Sequence, residues 1–283
     1  MKVQTAPTMV SRGQTGVAVT MLVRNTGEAA AGVGSAGLTF TAGGTDVGNE
    51  YTVTAGSNPS SIAGGTTATF SYTVAVSGAA SLGAVGVDGT ASGTDVNSGA
   101  ASSDDAADAA DAWTVQTPAT PQIVSVQTAP ATVSRGQTGI AVTMQVRNTG
   151  GAEASIDTAG LTFTAGGTDV GSEYTVTAGS NPSSIAGGTT ATFSYTVAVS
   201  GSATLGAVDL DGTVTGTDAN SGATSSDDAA DAANAWTVQT PATLQVVNVQ
   251  TAPTTVSRGQ TGVTVTMQVR NTGQAGASIG TAG

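Results

Sequence analysis

Val133-Ser-Arg-Gly-Gln-Thr-Gly-Ile-Ala-Val-Thr-Met-Gln-Val-Arg-Asn-Thr-Gly150 is the stretch whose reading decides the fold of this chain. Gly136 and Gly139 bracket the polar pair Gln137-Thr138, and strict alternation begins at Ile140. Ile140, Val142, Met144 and Val146 point one way, and Ala141, Thr143, Gln145 and Arg147 the other. A period of two with one apolar face is the signature of a strand that is half in a core and half in water. Asn148-Thr149-Gly150 reads as the closing turn, because Asn and Gly tolerate positive φ.

Nearly the same stretch begins at Val10 and at Val256, 123 residues to either side. The chain is therefore two full repeats and the opening of a third, with expected units at 1–120, 121–243 and 244–283. A period this long is not that of a solenoid whose units lean on their neighbours, so each full repeat is expected to fold as an autonomous domain. Thr117-Pro118-Ala119-Thr120 and Thr240-Pro241-Ala242-Thr243 are the linkers, since proline cannot donate to a ladder and suits a boundary. The third copy stops before its Leu-Thr-Phe-Thr strand. The expectation is an excerpt from a longer array, or a partial domain that an incoming subunit completes by strand addition.

Within repeat 2, Ile123 to Val126 is a first strand that Ala129-Pro130 breaks, and the run resumes at Val133-Ser134, on either the same sheet or the opposite one. Ala152 to Thr158 differs most between the copies and reads as a polar surface connection. Leu161 to Thr164, Glu173 to Thr177 and the alternating Phe193, Tyr195, Val197, Val199 segment are further strands. Leu205 to Val214 is another, with Gly212 weakening its middle, and Ala235 to Gln239 ends the repeat on its single Trp236. About seven short strands per repeat, with no helical periodicity, give an all-β fold of two-sheet sandwiches.

Composition removes several classes of function. The net charge is −12, the only lysine is Lys2, and the six arginines are scattered in pairs through the repeats. Nucleic-acid binding and attraction to anionic membranes both need clustered cations, and neither is expected. No apolar run is long enough for a membrane helix, so direct membrane insertion is not expected either. Cysteine and histidine are absent, which rules out disulfides, the usual zinc sites and imidazole-based triads. Internal isopeptide cross-links of the kind that stiffen some surface sandwiches are not expected, because they need a lysine in each domain and Lys2 is the only one in the chain.

The concentrated polar chemistry is acidic. Asp209, Asp211, Asp218, Asn220, Asp227, Asp228 and Asp231, with Asn234, recur in repeat 1 as Asp88, Asp95, Asn97, Asp104, Asp105, Asp108 and Asp111, while Gly86 replaces Asp209. Oxygen ligands of this kind suit calcium at one end of a domain, although the spacing is not that of an EF-hand; the alternative is a solvated acidic loop. A glycosidase pair needs one desolvated carboxyl beside an ionised one, and aspartates flanked by Ala and Ser offer little desolvation, so the chain is not expected to be an enzyme. Trp236 and Tyr195 suit a core better than a sugar platform. Arg135 and Arg147 are expected to pair with acids or lie across the sheet surface.

The run Val-Ser-Arg-Gly-Gln-Thr, the strand end Val-Arg-Asn-Thr-Gly, and Ile185-Ala-Gly-Gly-Thr-Thr-Ala-Thr-Phe193 together resemble bacterial extracellular immunoglobulin-like modules of the cell-adhesion-related, CARDB-like kind. The resemblance implies tandem immunoglobulin-like β-sandwiches in an extracellular or cell-surface protein, and transfers no site residues. The expected function is a structural repeat segment of a large exported protein forming a stalk, fibre or filament, its identical repeats associating head-to-tail or laterally. The alternative is an adhesive module that takes a glycan or protein ligand through loops such as Glu153 to Thr158 or through the acidic hairpin.

Overall fold

The computed structural model describes residues 1–105, 111–228 and 234–280. In repeat 1 one sheet runs β1 (Lys2–Ala6), β3 (Val17–Arg24), β8 (Thr67–Val76), β6 (Tyr51–Ala55). The facing sheet runs β2 (Met9–Ser11), β11 (Asp111–Gln116), β9 (Gly83–Asp95), β4 (Ala31–Ala42), β5 (Thr45–Asp46), and β7 (Ser61–Ile62) and β10 (Ala101–Asp104) add to β4 and β9.

Repeat 2 repeats this order. Its first sheet is β12 (Pro121–Ala129), β14 (Ile140–Asn148), β19 (Thr190–Val199), β17 (Tyr174–Ala178). Its second is β13 (Thr132–Ser134), β22 (Asn234–Gln239), β20 (Gly206–Asp218), β15 (Ala154–Ala165), β16 (Thr168–Asp169), with β18 (Ser184–Ile185) on β15 and β21 (Thr224–Asp227) on β20. Lettered in chain order, the two sheets are ABED and A′GFC, the immunoglobulin-like arrangement. The short strand after the break pairs parallel to the last one, with Val133 opposite Val238, while the other pairings are antiparallel. The break at Ala129-Pro130 thus moves the chain from one sheet to the other.

The organising strand behaves as its alternation predicts: Ile140, Val142, Met144 and Val146 are buried against Phe193, Leu210 and Trp236 in one core. An aromatic trio closes that core, with Phe163 stacked on Tyr174 at 4.3 Å between ring centroids and Trp236 at 5.9 Å from Phe163. Phe40, Tyr51 and Trp113 repeat the trio in the first domain.

Three expectations are corrected. Ala154 to Thr158 is no surface connection but the first half of β15, paired with β20, with a bulge at Asp157. Ala154, Ser155 and Asp157 have weak strand propensity; pairing with β20 and β18 holds the segment extended. Gly212 does not merely weaken β20: a Cβ there would strike the Met144 sulfur, so the glycine makes room for the methionine from the facing sheet. The Asn148-Thr149-Gly150 turn uses no positive φ, because among the described residues only glycines elsewhere adopt it. Side-chain hydrogen bonds from Asn148 shape that turn instead.

β23 (Leu244–Ala252) and β24 (Thr264–Asn271) form a two-stranded ribbon whose register, including the bulge near Val246, matches that of β12 and β14. Val265, Met267 and Val269, the counterparts of Val142, Met144 and Val146, are exposed.

Candidate functional site at the junction of the two repeats

The acidic hairpin between β20 and β21 and the Thr117–Thr120 linker meet where repeat 1 ends and repeat 2 begins. Linker and hairpin together form a continuous polar network, and most of its members are uncharged.

The linker lies on the β14 turn. Asn148 Nδ2 donates to the carbonyls of Ala152 (2.7 Å) and Ile185 (3.0 Å), while its Oδ1 accepts from Gly150 N and from Thr120 N, both at 3.0 Å. Thr149 N donates to the Thr120 carbonyl at 2.9 Å, and Gly151 N and Ala152 N donate to the Thr117 carbonyl. A Cβ on Gly150 would run into the Pro118 carbonyl oxygen. Gly150 is therefore glycine because another backbone crosses it, which is a packing demand rather than a conformational one.

The hairpin reaches back to repeat 1. Asp218 is only 1 % exposed. Its Oδ2 accepts from Ala119 N at 2.6 Å, and the Ser11 hydroxyl lies 3.0 Å from Oδ1 and 3.1 Å from Oδ2. Oδ1 also takes Asn220 N, Ser221 N and the Ser221 hydroxyl, which folds the hairpin turn. Around it Gln14 Nε2 donates to the Asn220 carbonyl and Asn220 Nδ2 to Gln116 Oε1, each at 2.8 Å. Gln116 Nε2 in turn donates to the Gly151 carbonyl at 3.1 Å. The Ser11 side of the socket is held from behind, because Gln14 Oε1 accepts Ser11 N at 2.8 Å.

Burial opposes the charge of Asp218, yet the hydrogen bonds from Ala119, Ser221 and Ser11 outweigh it and hold the carboxyl below the usual carboxylate range. A carboxylate satisfied by amides and hydroxyls from two domains is a charge-assisted clasp.

The remaining acidic candidates are dispersed. Asp209 is exposed on β20, Asp211 accepts the amide of Gly212, Asp227 accepts Ile123 N at 2.7 Å, and Asp228 is exposed beyond β21. Asp231 lies outside the described residues, as does Asp108 of repeat 1. Among the described residues no three carboxylates gather as metal ligands would. Of the sequence candidates, the structure brings Asp218 and Asn220 together, and their partners are the hairpin's own turn, the linker and side chains of repeat 1. Ser11, Gln14, Gln116 and Ala119 are not among those candidates; the signal that marks them is the recurrence of Ser-x-x-Gln and Val-Gln-Thr-Pro at the same places in both full repeats.

Other candidates have structural roles. Trp236 is 1 % exposed and Tyr195 is buried, so neither offers a face to a sugar. Burial also pushes the Tyr195 hydroxyl up to about 12. Arg135 donates Nε to the Ala203 carbonyl, as Arg12 does to that of Ala80, which ties a loop rather than pairing an acid. Glu153 to Thr158 is mainly strand, so the loop-borne ligand site expected there has no loop to sit on.

No family model matches the chain, and no curated protein matches it. Among solved structures it is similar to a Porphyromonas gingivalis protein of unknown function, at 11 % identity over 81 % of this chain and 100 % of the other, with a TM-score of 0.26. It is also similar to the C-terminal domain of the Streptococcus agalactiae AgI/II polypeptide BspA (9 % identity, 78 % and 95 % of the chains, TM-score 0.31) and to the Escherichia coli chaperone DraB (11 %, 81 % and 95 %, TM-score 0.24). The immunoglobulin-like assignment rests on the strand order of this chain itself. No helix of the described residues is long and apolar enough to cross a membrane.

Proposed function

We propose that this chain is a stiff, directional segment of an exported surface protein, in which immunoglobulin-like repeats follow one another as a stalk, fibre or filament. One observation carries the reading: Asp218 of repeat 2 is clasped by Ser11 of repeat 1 and by the linker amide of Ala119. A joint built this way resists bending in two directions. The linker cannot swing while it is hydrogen-bonded to the Asn148 turn, and the hairpin cannot lift while Ser11, Gln14 and Gln116 hold it. Repetition at 123 residues would give every repeat the same neighbour geometry, so stiffness accumulates along an array.

The surface fits this work. Only 9 % of residues are charged, and the sheets present Thr, Ser and Gly to water, which leaves identical repeats free to associate laterally or end to end. The same Thr-, Ser- and Gly-rich surface with few charges suits an extracellular setting.

Spin labels test the stiffness, since the chain has no native cysteine. Labels at Thr52→Cys and Thr175→Cys sit on exposed positions of β6 and β17, one in each repeat. A single narrow distance distribution in solution is expected. A broad one, as two sandwiches on a free tether would give, defeats the rod.

A further inference from the structure

Repeat 1 carries a groove of about 340 Å³ beside its own Asn25 turn. It is lined by Asn25, Gly27, Ala31, Gly93, Asp95 and Asp104, among others. Each of these six has an identical counterpart in repeat 2: Asn148, Gly150, Ala154, Gly216, Asp218 and Asp227. In repeat 2 the equivalent space is filled by Thr117 to Pro121.

The filled copy shows what each position does. Asn148 takes the amide of Thr120, Asp218 the amide of Ala119, and Asp227 the amide of Ile123. Gly150 leaves room for the Pro118 carbonyl, and a Cβ on Gly216 would stand 3.3 Å from the Pro121 ring. The Ala119 methyl group is buried, at 3 % exposure.

The open copy is already shaped. Asn25 Nδ2 donates to the carbonyls of Ala29 (2.8 Å) and Ile62 (3.0 Å), and its Oδ1 accepts Gly27 N at 3.0 Å, the same set that holds Asn148. Asp95 Oδ1 accepts Asn97 N, Ser98 N and the Ser98 hydroxyl, the same turn that presents Asp218. A Cβ on Gly27 would approach only the Asn25 side chain, so no backbone lies across it. The seat therefore forms without its occupant, and little ordering is left for binding to require.

We infer that this groove is a docking site for an extended Thr-Pro-Ala-Thr-Pro segment, as carried at the C-terminal end of a repeat of this kind. The segment lays its Thr carbonyl and amide along Asn25 and Thr26, sends its Ala amide to Asp95, and passes its Pro carbonyl over Gly27. The Ser-Gln face of the repeat bearing the segment meets the Asp95 hairpin, as the face containing Ser11, Gln14 and Gln116 meets Asp218. Each repeat is thus both seat and segment, and the polarity of an array follows from that asymmetry.

The inference rests on the reading of the repeats as coupled units, and the two fail separately. The test is a titration of the full chain, ¹⁵N-labelled, with the capped peptide Val-Gln-Thr-Pro-Ala-Thr-Pro-Gln-Ile, followed by NMR, which detects binding down to millimolar affinity. Saturable shifts are expected at the Asn25 side-chain amide, Gly27, Asn97 and Ser98, without shifts at Asn148 and Gly150, whose seat is taken. Gly27→Val in the chain and Ala119→Trp in the peptide should each weaken binding about tenfold or more, because each places bulk where backbone or a buried methyl group belongs. The peptide variant leaves the protein untouched, so a loss there cannot come from misfolding. No shift around Asn25 at millimolar peptide, or shifts indifferent to both substitutions, overturns the inference. Narrow label distances with no peptide binding would leave the rod and remove the seat; broad distances with binding would do the reverse.

Discussion

Asp95 and Asp218 occupy the same place in two repeats that share their strand order, yet one is half-exposed and the other almost wholly buried. Asn25 and Asn148 differ in the same way: both side chains bond the same turn, but only Asn148 is fully covered. The turn geometry is thus a property of each repeat, and the burial is a property of the neighbour. A coupled junction is of the second kind, because it exists only where one repeat's hairpin meets another's Ser-Gln face.

That comparison breaks most sharply at the crossing glycine. Gly150→Val should expel the linker, since its side chain would overlap the Pro118 carbonyl, and should cost repeat 2 about 1–3 kcal/mol. Gly27→Val should leave repeat 1 close to its original stability. Thermal melting followed through Trp236 in a Trp113→Phe background, or through Trp113 with Trp236→Phe, reads each repeat separately; equal losses at both sites would mean that the turn, not the linker, needs glycine.

Next in size is the clasp carboxylate. Asp218→Ala removes both the hairpin turn contacts and the junction contacts, whereas Asp95→Ala removes the turn contacts alone. The destabilisation at Asp218 should exceed that at Asp95 by about 1–3 kcal/mol, the range for leaving buried donors such as Ala119 N and Ser11 Oγ unpartnered. Label distances in Asp218→Ala should broaden, and those in Asp95→Ala should not.

Acid should dissolve the same difference reversibly. Asp218 is held below the usual carboxylate range in the folded chain, so its stabilising contribution is complete above the carboxylate range of the unfolded chain. That contribution is lost as pH falls through the depressed folded value. Asp95, also lowered, by the amide and hydroxyl of Ser98, loses only its turn. Label distances recorded from neutral to strongly acidic pH should broaden at the acid end in the wild-type chain; in Asp218→Asn the distribution should show no such acid transition.

The smallest effect expected is at the socket. Ser11→Ala deletes one hydroxyl donor to Asp218 and should loosen the junction by about 1 kcal/mol, while Ser134→Ala, at the equivalent and more open position, should change nothing measurable. A chemical denaturation midpoint for each variant decides the point.

Much of the fold was legible beforehand, and the reason is local. Ile140, Val142, Met144 and Val146 alternate because a strand has a period of two, and nothing distant is needed to see it. The move of the first strand between sheets was half legible, since Pro130 marks a break without saying which sheet follows. Ala154 to Thr158 is hard to read as a strand because Ala154, Ser155 and Asp157 carry weak strand preference and interrupt Ile156 and Thr158, and pairing with β20 and β18 makes the segment extended. The Asn-Thr-Gly run suggests a glycine chosen for positive φ, whereas the cause of Gly150 is a carbonyl more than thirty residues earlier in the chain.

The candidate site was legible in part for the same reason. The acidic hairpin stood out by composition, and its recurrence pointed to one end of the domain. What Asp218 binds did not stand out, because Ser11 lies 207 residues away and neither Ser11 nor Gln14 is chemically conspicuous. β24 makes the general point: its Val265, Met267 and Val269 follow the alternation that buries Val142, Met144 and Val146, and they remain exposed.

The sequence by itself determined the period of 123 residues, the alternating strands, the aromatic centres and the acidic turn, since each is written in neighbouring residues. Tertiary structure alone decided that Gly150 is crossed by a backbone and that Asp218 is clasped. Those outcomes depend on what a second segment brings to the surface, and an alternation or a turn motif carries no information about its neighbour.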